Sequence, residues 1–324
     1  MPNLTFFQKE FNSFLEQEIQ LKEPNNLYQP ITYIMNLGGK RLRPVLTLMA
    51  TQLLGGDYKE SLYAALAVEV FHNFSLVHDD IMDDAPLRRG QQTVHEKWDV
   101  NTGILSGDAM LIKAYELLDY YKSPQFKILV NIFNKTAIRV CEGQQYDIDF
   151  ESRDDVGVDE YMTMISYKTA ILIATALKMG AVIAGATEEH QRALFLYGMN
   201  LGIAFQLQDD YLDAFGDIEH FGKQIGGDII ENKKTFLYLK SKELGSPEDQ
   251  KELADLYSFN PRDPSIKIKV VKEIFQRSGA VQETKTAIAN YTKMAFEELS
   301  CLSTFEDAET VLRDFGNKLM AREV

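Results

Sequence analysis

The sequence predicts an all-α fold. Apolar residues recur every three or four positions along most of the chain, which is the period of an amphipathic helix. Alternating runs of strand length are missing from the sequence, and so are Asn-Gly or Asp-Gly hairpin signals. The 324 residues are 45% hydrophobic, which is enough for a large buried core. We expect one domain over residues 1–324, because no Pro-, Gly- or Ser-rich linker divides the chain.

The clearest predicted helix covers residues 60–84. Leu62, Leu66 and Val70 begin its apolar stripe, and Pro86 follows as a stop signal. Short breakers containing Gly or Pro separate this helix from the next ones. The same period predicts further helices over residues 105–121, 127–147, 159–186, 190–215, 235–244 and 266–295.

Composition limits the possible partners and compartment. The net charge of −14 argues against a nucleic-acid partner. Two cysteines give no disulfide framework, so we expect a reducing, cytoplasmic compartment. No signal peptide is visible at the start of the sequence. The most apolar segment, residues 169–186, contains Lys178, and we expect it to be a buried helix with no transmembrane segment in the chain.

Two aspartate clusters of the form D-D-x-x-D are the most informative feature of the sequence. Asp79 and Asp83 should share one helix face, and so should Asp209 and Asp213, because residues four apart on a helix are neighbours. Stacked carboxylates repel unless a cation lies between them. A single copy would be interpreted as an acidic, solvated helix end. Two copies, each after an apolar helical run, favour a pair of metal-binding motifs.

The ligand chemistry favours magnesium. Paired carboxylates suit Mg²⁺, which completes its coordination shell with water and substrate phosphates. The spaced glycine and terminal glutamate of a calcium-binding EF-hand loop are missing, and no Cys/His cluster suggests zinc.

Basic residues recur near the same elements. They occur in the run G-G-K-R-L-R-P at residues 38–44, in Arg88-Arg89-Gly90, at Lys168 and in Lys233-Lys234. Guanidinium and ammonium groups bind phosphate oxygens, so metals and cations together could neutralise a diphosphate, with room for two. The alternative is a basic surface turn at residues 40–43 and a solvated helix at Lys233-Lys234. His72 lies two helical turns before Asp79, and spacing gives His78 and His95 no role.

Taken together, these motifs resemble those of a trans-isoprenyl (polyprenyl) diphosphate synthase of the farnesyl/geranylgeranyl type. The resemblance runs from Gly38 to about Lys234. It is carried, in order, by G-G-K-R-L-R-P at 38–44, H-D-D-I-M-D at 78–83, R-R-G at 88–90, E-G-Q at 142–144, Y-K-T at 167–169, F-Q-L-Q-D-D-Y-L-D at 205–213, G-K at 222–223 and N-K-K at 232–234.

The resemblance implies the isoprenoid synthase type I fold, a single-domain bundle of mostly antiparallel helices around a central cavity, and a homodimer. It implies head-to-tail (1′-4) condensation of isopentenyl diphosphate with an allylic diphosphate (DMAPP, GPP or FPP). Three Mg²⁺ ions would be ligated by Asp79, Asp83 and Asp209. Asp80, Asp210 and Asp213 would complete or orient that cluster, with Gln144 beneath it.

The other roles follow from the same resemblance. The allylic diphosphate would be held by Arg88, Lys168, Lys223 and Lys233. Isopentenyl diphosphate would be held by Lys40, Arg43, His72 and Arg89. Thr169 and Gln206 would line the nascent carbocation.

Product length depends on the helix that leads to the first motif. Phe74 lies five residues before Asp79, where members of the family often carry an aromatic floor, and Phe71 lies deeper. Ser75 is small, whereas relatives that stop at C15 commonly carry a second aromatic there. Both phenylalanines could also be simple core residues. We expect a C20 product, geranylgeranyl diphosphate, ahead of C15, with C30 and longer products less favoured.

Two other functions fit parts of the sequence. A class I terpene cyclase also uses D-D-x-x-D, but normally with a second motif unlike D-D-Y-L-D and without the basic run at residues 40–43. A non-catalytic modulating subunit of a synthase generally loses one or both aspartate motifs, and this chain keeps both.

Overall fold

A computed structural model of the chain describes residues 4–216, 226–302, 305 and 307–321. Within these residues the all-α prediction is confirmed, since the strands are two residues long each. The helices are α1 (Leu4–Glu18), α2 (Asn25–Asn36), α3 (Leu42–Leu53), α4 (Leu62–Met82), α5 (Val94–Lys97), α6 (Val100–Leu118), α7 (Gln125–Ser152), α8 (Val158–Ile165), α9 (Ile171–Ile183), α10 (Glu188–Phe215), α11 (Gly227–Ile230), α12 (Phe236–Leu244), α13 (Pro247–Leu256), α14 (Ser265–Arg277), α15 (Ala280–Glu298) and α16 (Ala308–Met320). Strands β1 (Leu87–Arg88) and β2 (Gln91–Gln92) form an antiparallel hairpin.

The described residues fall into two compact units. The first contains residues 4–136 and 172–195, and the second contains 137–171 and most of 196–302 with 307–321. The first aspartate motif belongs to the first unit and the second motif to the second unit. The single-domain assignment of residues 1–324 stays a prediction.

The first unit is built on the packing of α4 against α6, with α3 and α2 also in contact with α4. Two glycines four residues apart on α6 make the close approach possible. A methyl group at Gly103 would lie 2.9 Å from Ile81 Cδ1, and one at Gly107 would overlap the His78 ring. The end of α4 that carries the first motif is therefore held directly against α6.

Three N-terminal helices were not among the predicted ones. α1 buries Phe7, Phe11 and Leu15, which lie four residues apart on one face. The Phe7 ring meets Tyr58 edge to face with 5.6 Å between centroids. The three-to-four-residue spacing was present in the sequence, but Pro24 and Pro30 interrupt the segment and weaken the pattern.

The β1–β2 hairpin is also a structural finding, because the sequence lacks the usual hairpin dipeptides. Arg89 and Gly90 form its two-residue turn, with φ values of 53° and 74°. Positive φ at both central positions is the requirement of a type I′ turn, and glycine meets it at low cost. The R-R-G motif is thus a turn signal as well as a source of two guanidinium groups.

In the second unit α12 packs against α15, α13 and α14. Four consecutive residues of α12, Phe236 to Leu239, are buried, so the first turn of this helix is surrounded on all sides. The single helix predicted over residues 266–295 is wrong. Gly279, with a φ of +87°, separates α14 from α15, because a left-handed residue ends a helix.

A continuous helical stretch runs from Val158 to Ile183 and includes a π-helical turn at Ser166–Ala170. Among the described residues it is the one stretch long and apolar enough to cross a membrane, and 72% of its most apolar window is buried. Its burial matches the buried helix predicted for residues 169–186. The lack of a transmembrane segment remains a prediction.

Gly180 lies where α9 approaches α3, and we predict that alanine there destabilises the protein. The added methyl would overlap the Thr47 carbonyl oxygen and lie 2.8 Å from Ala50 Cβ. Helix propensity alone favours alanine over glycine by about 0.5–1 kcal/mol. We nevertheless expect Gly180→Ala to lose about 1–3 kcal/mol of unfolding free energy through overpacking, measured by urea denaturation.

Gly157→Ala is the matched control, because nothing lies within 4 Å of a methyl group at that position. It should lose only the small contribution of glycine at the N-terminus of α8. Equal or greater stability of Gly180→Ala relative to the parent protein would contradict the close approach of α9 and α3.

Candidate active site

The first aspartate motif lies at the C-terminal end of α4. Asp83 donates its backbone N–H to the Asp79 carbonyl (2.9 Å), so the two residues are one turn apart as predicted. Asp79 is half-buried and Asp83 is exposed. A helix C-terminus carries partial negative charge, so carboxylates there are unfavourable unless a cation is bound. This arrangement fits a metal ligand pair.

Asp80 has a different role from its neighbours in the motif. It is only 2% exposed and accepts three hydrogen bonds from Arg88: Nε to Oδ1 (2.9 Å), Nε to Oδ2 (2.8 Å) and Nη2 to Oδ1 (2.6 Å). The guanidinium of Arg88, predicted to hold diphosphate, is therefore fixed to the motif itself. Asp80 orients the cation that follows it in sequence.

Four arginines of the first unit surround His72. Burial lowers the pKa of His72 well below its ordinary value, and the positive charges of Arg43, Arg89, Arg88 and Arg41 lower that pKa further. Arg43 Nη1 lies 3.3 Å from His72 Nε2. Because a guanidinium can only donate, Nε2 is the acceptor, and the neutral ring carries its proton on Nδ1.

This arginine cluster has an excess of positive charge. Arg41 pairs with Glu69 at 2.5 Å, and both side chains are buried. Arg43 Nε is buried and has no hydrogen-bond partner among the described residues. Burial also lowers the pKa of Arg43. A buried, unpartnered guanidinium donor is costly, so the cluster is suited to an anion with several oxygens.

The glycine pair before the basic run brings Arg89 into the same cluster. Gly38 and Gly39 have φ values of 79° and 124°, and a methyl group at Gly39 would lie 2.9 Å from the Arg89 guanidinium carbon. Arg89 donates to the Gly38 carbonyl oxygen. The structure thus brings together Arg43, His72 and Arg89, three of the four residues predicted to hold isopentenyl diphosphate. The fourth, Lys40, is exposed.

In the second unit a chain of hydrogen bonds ends on Asp210. Thr169 Oγ1 donates to Gln206 Oε1 (3.0 Å), and Gln206 Nε2 donates to Asp210 Oδ1 (2.9 Å). The Tyr161 hydroxyl donates to Asp210 Oδ2. Thr169 and Gln206, predicted to act together, are therefore in direct contact, and both carboxylate oxygens of Asp210 are occupied.

The second motif lies in the last two turns of α10, again at the negative end of a helix. The pKa of Asp210 is raised to about 7, chiefly by burial and also by the charges of Asp209 and Asp213, and hydrogen bonds from Tyr161 and Gln206 limit the rise. A divalent cation beside these carboxylates would remove the energetic cost of their charge. The donor set therefore fits a metal here also.

Asp213 anchors the backbone that begins α11. Its Oδ2 accepts the Asp228 N–H at 3.0 Å, and its carbonyl accepts the Gly226 N–H at 2.7 Å. A side chain at Gly227 would meet Asp213 Oδ1 at 3.1 Å. Asp213 thus orients the segment leading to Lys233, and Asp209, which is half-buried, is the predicted ligand. Lys223 lies outside the described residues.

Lys168 lies in the π-helical turn between α8 and α9, and its Nζ is 2.5 Å from Asp147 Oδ2. The Asp147 carboxylate is thus the partner for the Lys168 ammonium, which lies in a largely apolar segment. π-turns occur frequently at functional sites. A methyl group at Gly143 would overlap the Lys168 backbone nitrogen and lie 2.8 Å from the Tyr167 carbonyl carbon. The E-G-Q motif therefore supplies the space that the π-turn requires.

Gln144 of that motif is buried, and neither its Nε2 nor its Oε1 has a hydrogen-bond partner among the described residues. Buried amides are normally hydrogen-bonded. Two open positions on one side chain are consistent with a ligand or ordered water there, as expected for a polar group beneath a metal cluster.

The three residues of the N-K-K motif make different contacts. Lys233 lies 3.1 Å from Glu231; burial opposes its charge, but Glu231, Asp147 and Asp228 together raise its pKa. Lys234 donates instead to the Phe150 carbonyl (2.7 Å). Asn232 has a left-handed φ of 59° and accepts a hydrogen bond from Lys267 (2.5 Å).

Sequence reasoning missed four residues that support the site: Asp147, Tyr161, Asp228 and Lys267. Asp147 lies three residues after Gln144, one helical turn along α7, which was a usable signal. The others come from distant segments. Lys267 is only 2% exposed, but the sequence pattern does not distinguish this buried lysine from the other lysines of the same helix.

Comparison with known proteins identifies the family. Residues 24–275 match the family model described as Polyprenyl synthetase. The geranylgeranyl pyrophosphate synthase of Geoglobus acetivorans is 38% identical over 90% of this chain and 89% of its own length. A crystal structure of a geranylgeranyl pyrophosphate synthase matches with a TM-score of 0.96 and 50% identity over 100% of both chains.

A third match concerns ligands. The geranylgeranyl pyrophosphate synthase of Corynebacterium glutamicum, solved as a complex with isoprenyl diphosphate and magnesium, has a TM-score of 0.86 and 27% identity over 99% of this chain and 98% of its own. This chain belongs to the polyprenyl synthetase family and has its all-α isoprenoid synthase fold. It is a prenyltransferase, as the resemblance predicted, and the family uses divalent metal.

His72 makes a testable contribution to the pH dependence of stability. The unfolded chain protonates this histidine near pH 6.5, while the folded protein resists protonation to well below that value. The unfolded state therefore binds more protons as the pH falls below about 6.5, and stability decreases by up to about 1.4 kcal/mol per pH unit.

We expect the His72→Gln variant, which keeps an acceptor for Arg43, to lose less stability than the parent protein between pH 7.5 and 5.5. Urea unfolding at both pH values measures the difference. Parallel losses in the two proteins would show that His72 is not held neutral.

Proposed function

We propose that this chain catalyses Mg²⁺-dependent head-to-tail (1′-4) condensation of isopentenyl diphosphate with an allylic diphosphate, giving an all-trans C20 product, geranylgeranyl diphosphate. Family membership and the names of the similar proteins support chain elongation with this product. The observation that carries the proposal is the arginine cluster around His72, whose buried and unpartnered Arg43 Nε requires an anion. A terpene cyclase has no use for this second diphosphate site.

The arginine cluster is the site proposed for isopentenyl diphosphate. Arg43 and Arg89 supply guanidinium donors, and Lys40 supplies an exposed ammonium. His72 is neutral in the absence of ligand, and its ring orientation is fixed by Arg43. Binding of a diphosphate would offset the repulsion among the arginines, so part of the binding free energy comes from relief of an existing cost.

The aspartates and the remaining cations are proposed to bind the allylic diphosphate. Asp79, Asp83 and Asp209 would ligate three Mg²⁺ ions. Asp80, Asp210 and Asp213 act as orienting residues, since each already has a hydrogen-bonded partner. The cationic residues proposed for the same diphosphate are Arg88, Lys168, Lys223 and Lys233.

The chemistry follows from charge. Bound metal would stabilise the diphosphate leaving group as its charge develops. Lys168 and Arg88, each fixed by a carboxylate, contribute preorganised positive charge to the same group. Thr169 and Gln206, joined by their own hydrogen bond, would line the allylic cation. Positioning of isopentenyl diphosphate by Arg43 and Arg89 replaces a bimolecular encounter, a gain of about 7–11 kcal/mol at most. The departing diphosphate can accept the proton that is released.

Product length is proposed to depend on α4. Phe74 is 9% exposed and Phe71 is 1% exposed, and their rings lie 5.5 Å apart between centroids. Phe71 also meets Phe133 edge to face at 5.2 Å. Phe74 is thus the aromatic that remains partly accessible, with a second aromatic layer behind it. The small Ser75, beside it, donates to the His72 carbonyl (2.9 Å).

We also propose a homodimer in the cytoplasm. Leu105 and Ile112 lie seven residues apart on α6 and are 61% and 67% exposed, so they present an apolar stripe suited to a second copy of the chain.

The reaction and the role of Asp79 can be tested together. The purified chain, given isopentenyl diphosphate, Mg²⁺ and C5, C10 or C15 starters, should yield a C20 prenyl diphosphate by mass spectrometry. Asp79→Asn should lower kcat by at least about a hundredfold, because charge stabilisation of the leaving group is lost, with an unchanged or raised unfolding midpoint. Asp119→Asn, at the exposed carboxylate that directly follows α6, is the control. Turnover of farnesyl diphosphate alone to a hydrocarbon would instead establish a cyclase.

Product length is tested by a reciprocal pair of variants. Phe74→Ala removes the outer aromatic and should lengthen the products beyond C20. Ser75→Phe adds a second aromatic at the same level and should shorten them toward C15. Product sizing under single-starter conditions measures both. Unchanged profiles in both variants would place the floor of the channel elsewhere.

A further inference from the structure

His95 is a buried histidine that the proposed reaction does not use. It lies in the short helix α5, and the residue is 8% exposed. Neither Nδ1 nor Nε2 has a hydrogen-bond partner among the described residues. A buried imidazole with both nitrogens open is costly, because each has given up a hydrogen bond to water. The side chain therefore lacks a partner that can be supplied from solution.

Two carboxylates lie beside it. The ligand atoms of Asp84, His95 and Glu96 are all within 4.8 Å of one another, and His95 Nε2 is 3.9 Å from Glu96 Oε1. Ligands bound to one metal at about 2.0–2.2 Å lie roughly 3.4 Å apart. Asp84 and Glu96 are exposed, so their carboxylates can close the set around an ion by moving no more than about 1.4 Å, the difference between 4.8 and 3.4 Å.

We propose that Asp84, His95 and Glu96 form a second metal site, for a divalent transition ion of the zinc type. The donor set of one imidazole and two carboxylates matches such ions, whereas Mg²⁺ is bound by oxygen ligands. Three protein ligands leave the fourth tetrahedral position to water. The proposal involves neither D-D-x-x-D pair, and it does not depend on the prenyl-transfer reaction.

A metal at this site would restrain the β1–β2 hairpin, which carries Arg88 and Arg89 of the arginine cluster. Asp84 follows the end of α4, His95 and Glu96 lie in α5, and the β1–β2 hairpin with Arg88 and Arg89 forms the connection between them. The base of this connection already has two hydrogen bonds: Thr93 Oγ1 to the Ala85 carbonyl (2.7 Å) and Thr93 N–H to the Pro86 carbonyl (3.2 Å). A metal would add a third tie across the same base and limit the motion of the hairpin.

Trp98 makes the site directly observable. It is the single tryptophan of the chain and follows His95 by three residues. Ni²⁺ quenches indole fluorescence and Zn²⁺ does not. We expect Ni²⁺, titrated into the full chain in excess Mg²⁺, to give saturable quenching with one site per chain. Zn²⁺ added afterwards should displace Ni²⁺ and restore the emission.

Variants assign the signal to these residues. His95→Gln should weaken Ni²⁺ binding at least tenfold, and Glu96→Gln, at an exposed side chain, should weaken it several-fold without a risk to folding. Asp79→Asn, in the predicted magnesium site, should leave the Ni²⁺ affinity unchanged. Zn²⁺ should also raise the unfolding midpoint of the parent protein more than that of Glu96→Gln.

The proposal is overturned by any of three results. These are a lack of saturable quenching, an affinity that is the same in Glu96→Gln and the parent protein, or quenching that is lost in Asp79→Asn. The last result would assign the bound Ni²⁺ to the aspartate motif.

Discussion

The placement of carboxylates at the negative ends of two helices is the constraint on which the rest of this structure depends. α4 and α10 each end in aspartates, where the helix dipole and neighbouring carboxylates both oppose negative charge. Such ends are stable only if their negative charge is compensated. A divalent cation beside either helix end would add to that compensation.

The compensation that the chain does provide is specific to one carboxylate in each motif. Arg88 occupies Asp80, and Tyr161 with Gln206 occupies Asp210. These middle aspartates are the most buried of their motifs, and Asp213, which is also buried, accepts a hydrogen bond from the backbone instead. These fixed partners hold in shape the two helix ends that carry Asp79, Asp83 and Asp209, the aspartates proposed as metal ligands. Lys168 is held in a similar way, because its ammonium forms an ion pair with the Asp147 carboxylate.

The sequence was sufficient for the fold class and for the residues whose role depends on local spacing. Asp79 with Asp83, and Thr169 with Gln206, were paired correctly because helical period or a family motif placed them. Tyr161, Asp228 and Lys267 were not found, because their partners come from other helices. The break at Gly279 was missed because the apolar period continues on both sides of it, and the hairpin because Arg-Gly is an unusual turn pair.

The π-turn at Ser166–Ala170 has a consequence for any comparison of this enzyme with its relatives. An inserted residue advances the helical phase by about 100°. Residues of α9 therefore lie on faces that a single helical wheel drawn from α8 would assign wrongly. In a homologue that lacks the extra residue, the α9 side chains would be rotated by more than a quarter of a revolution about the helix axis, even if the amino acids were identical. The role of a residue beyond position 170 can therefore be transferred between homologues only when the local helix geometry is known as well as the alignment.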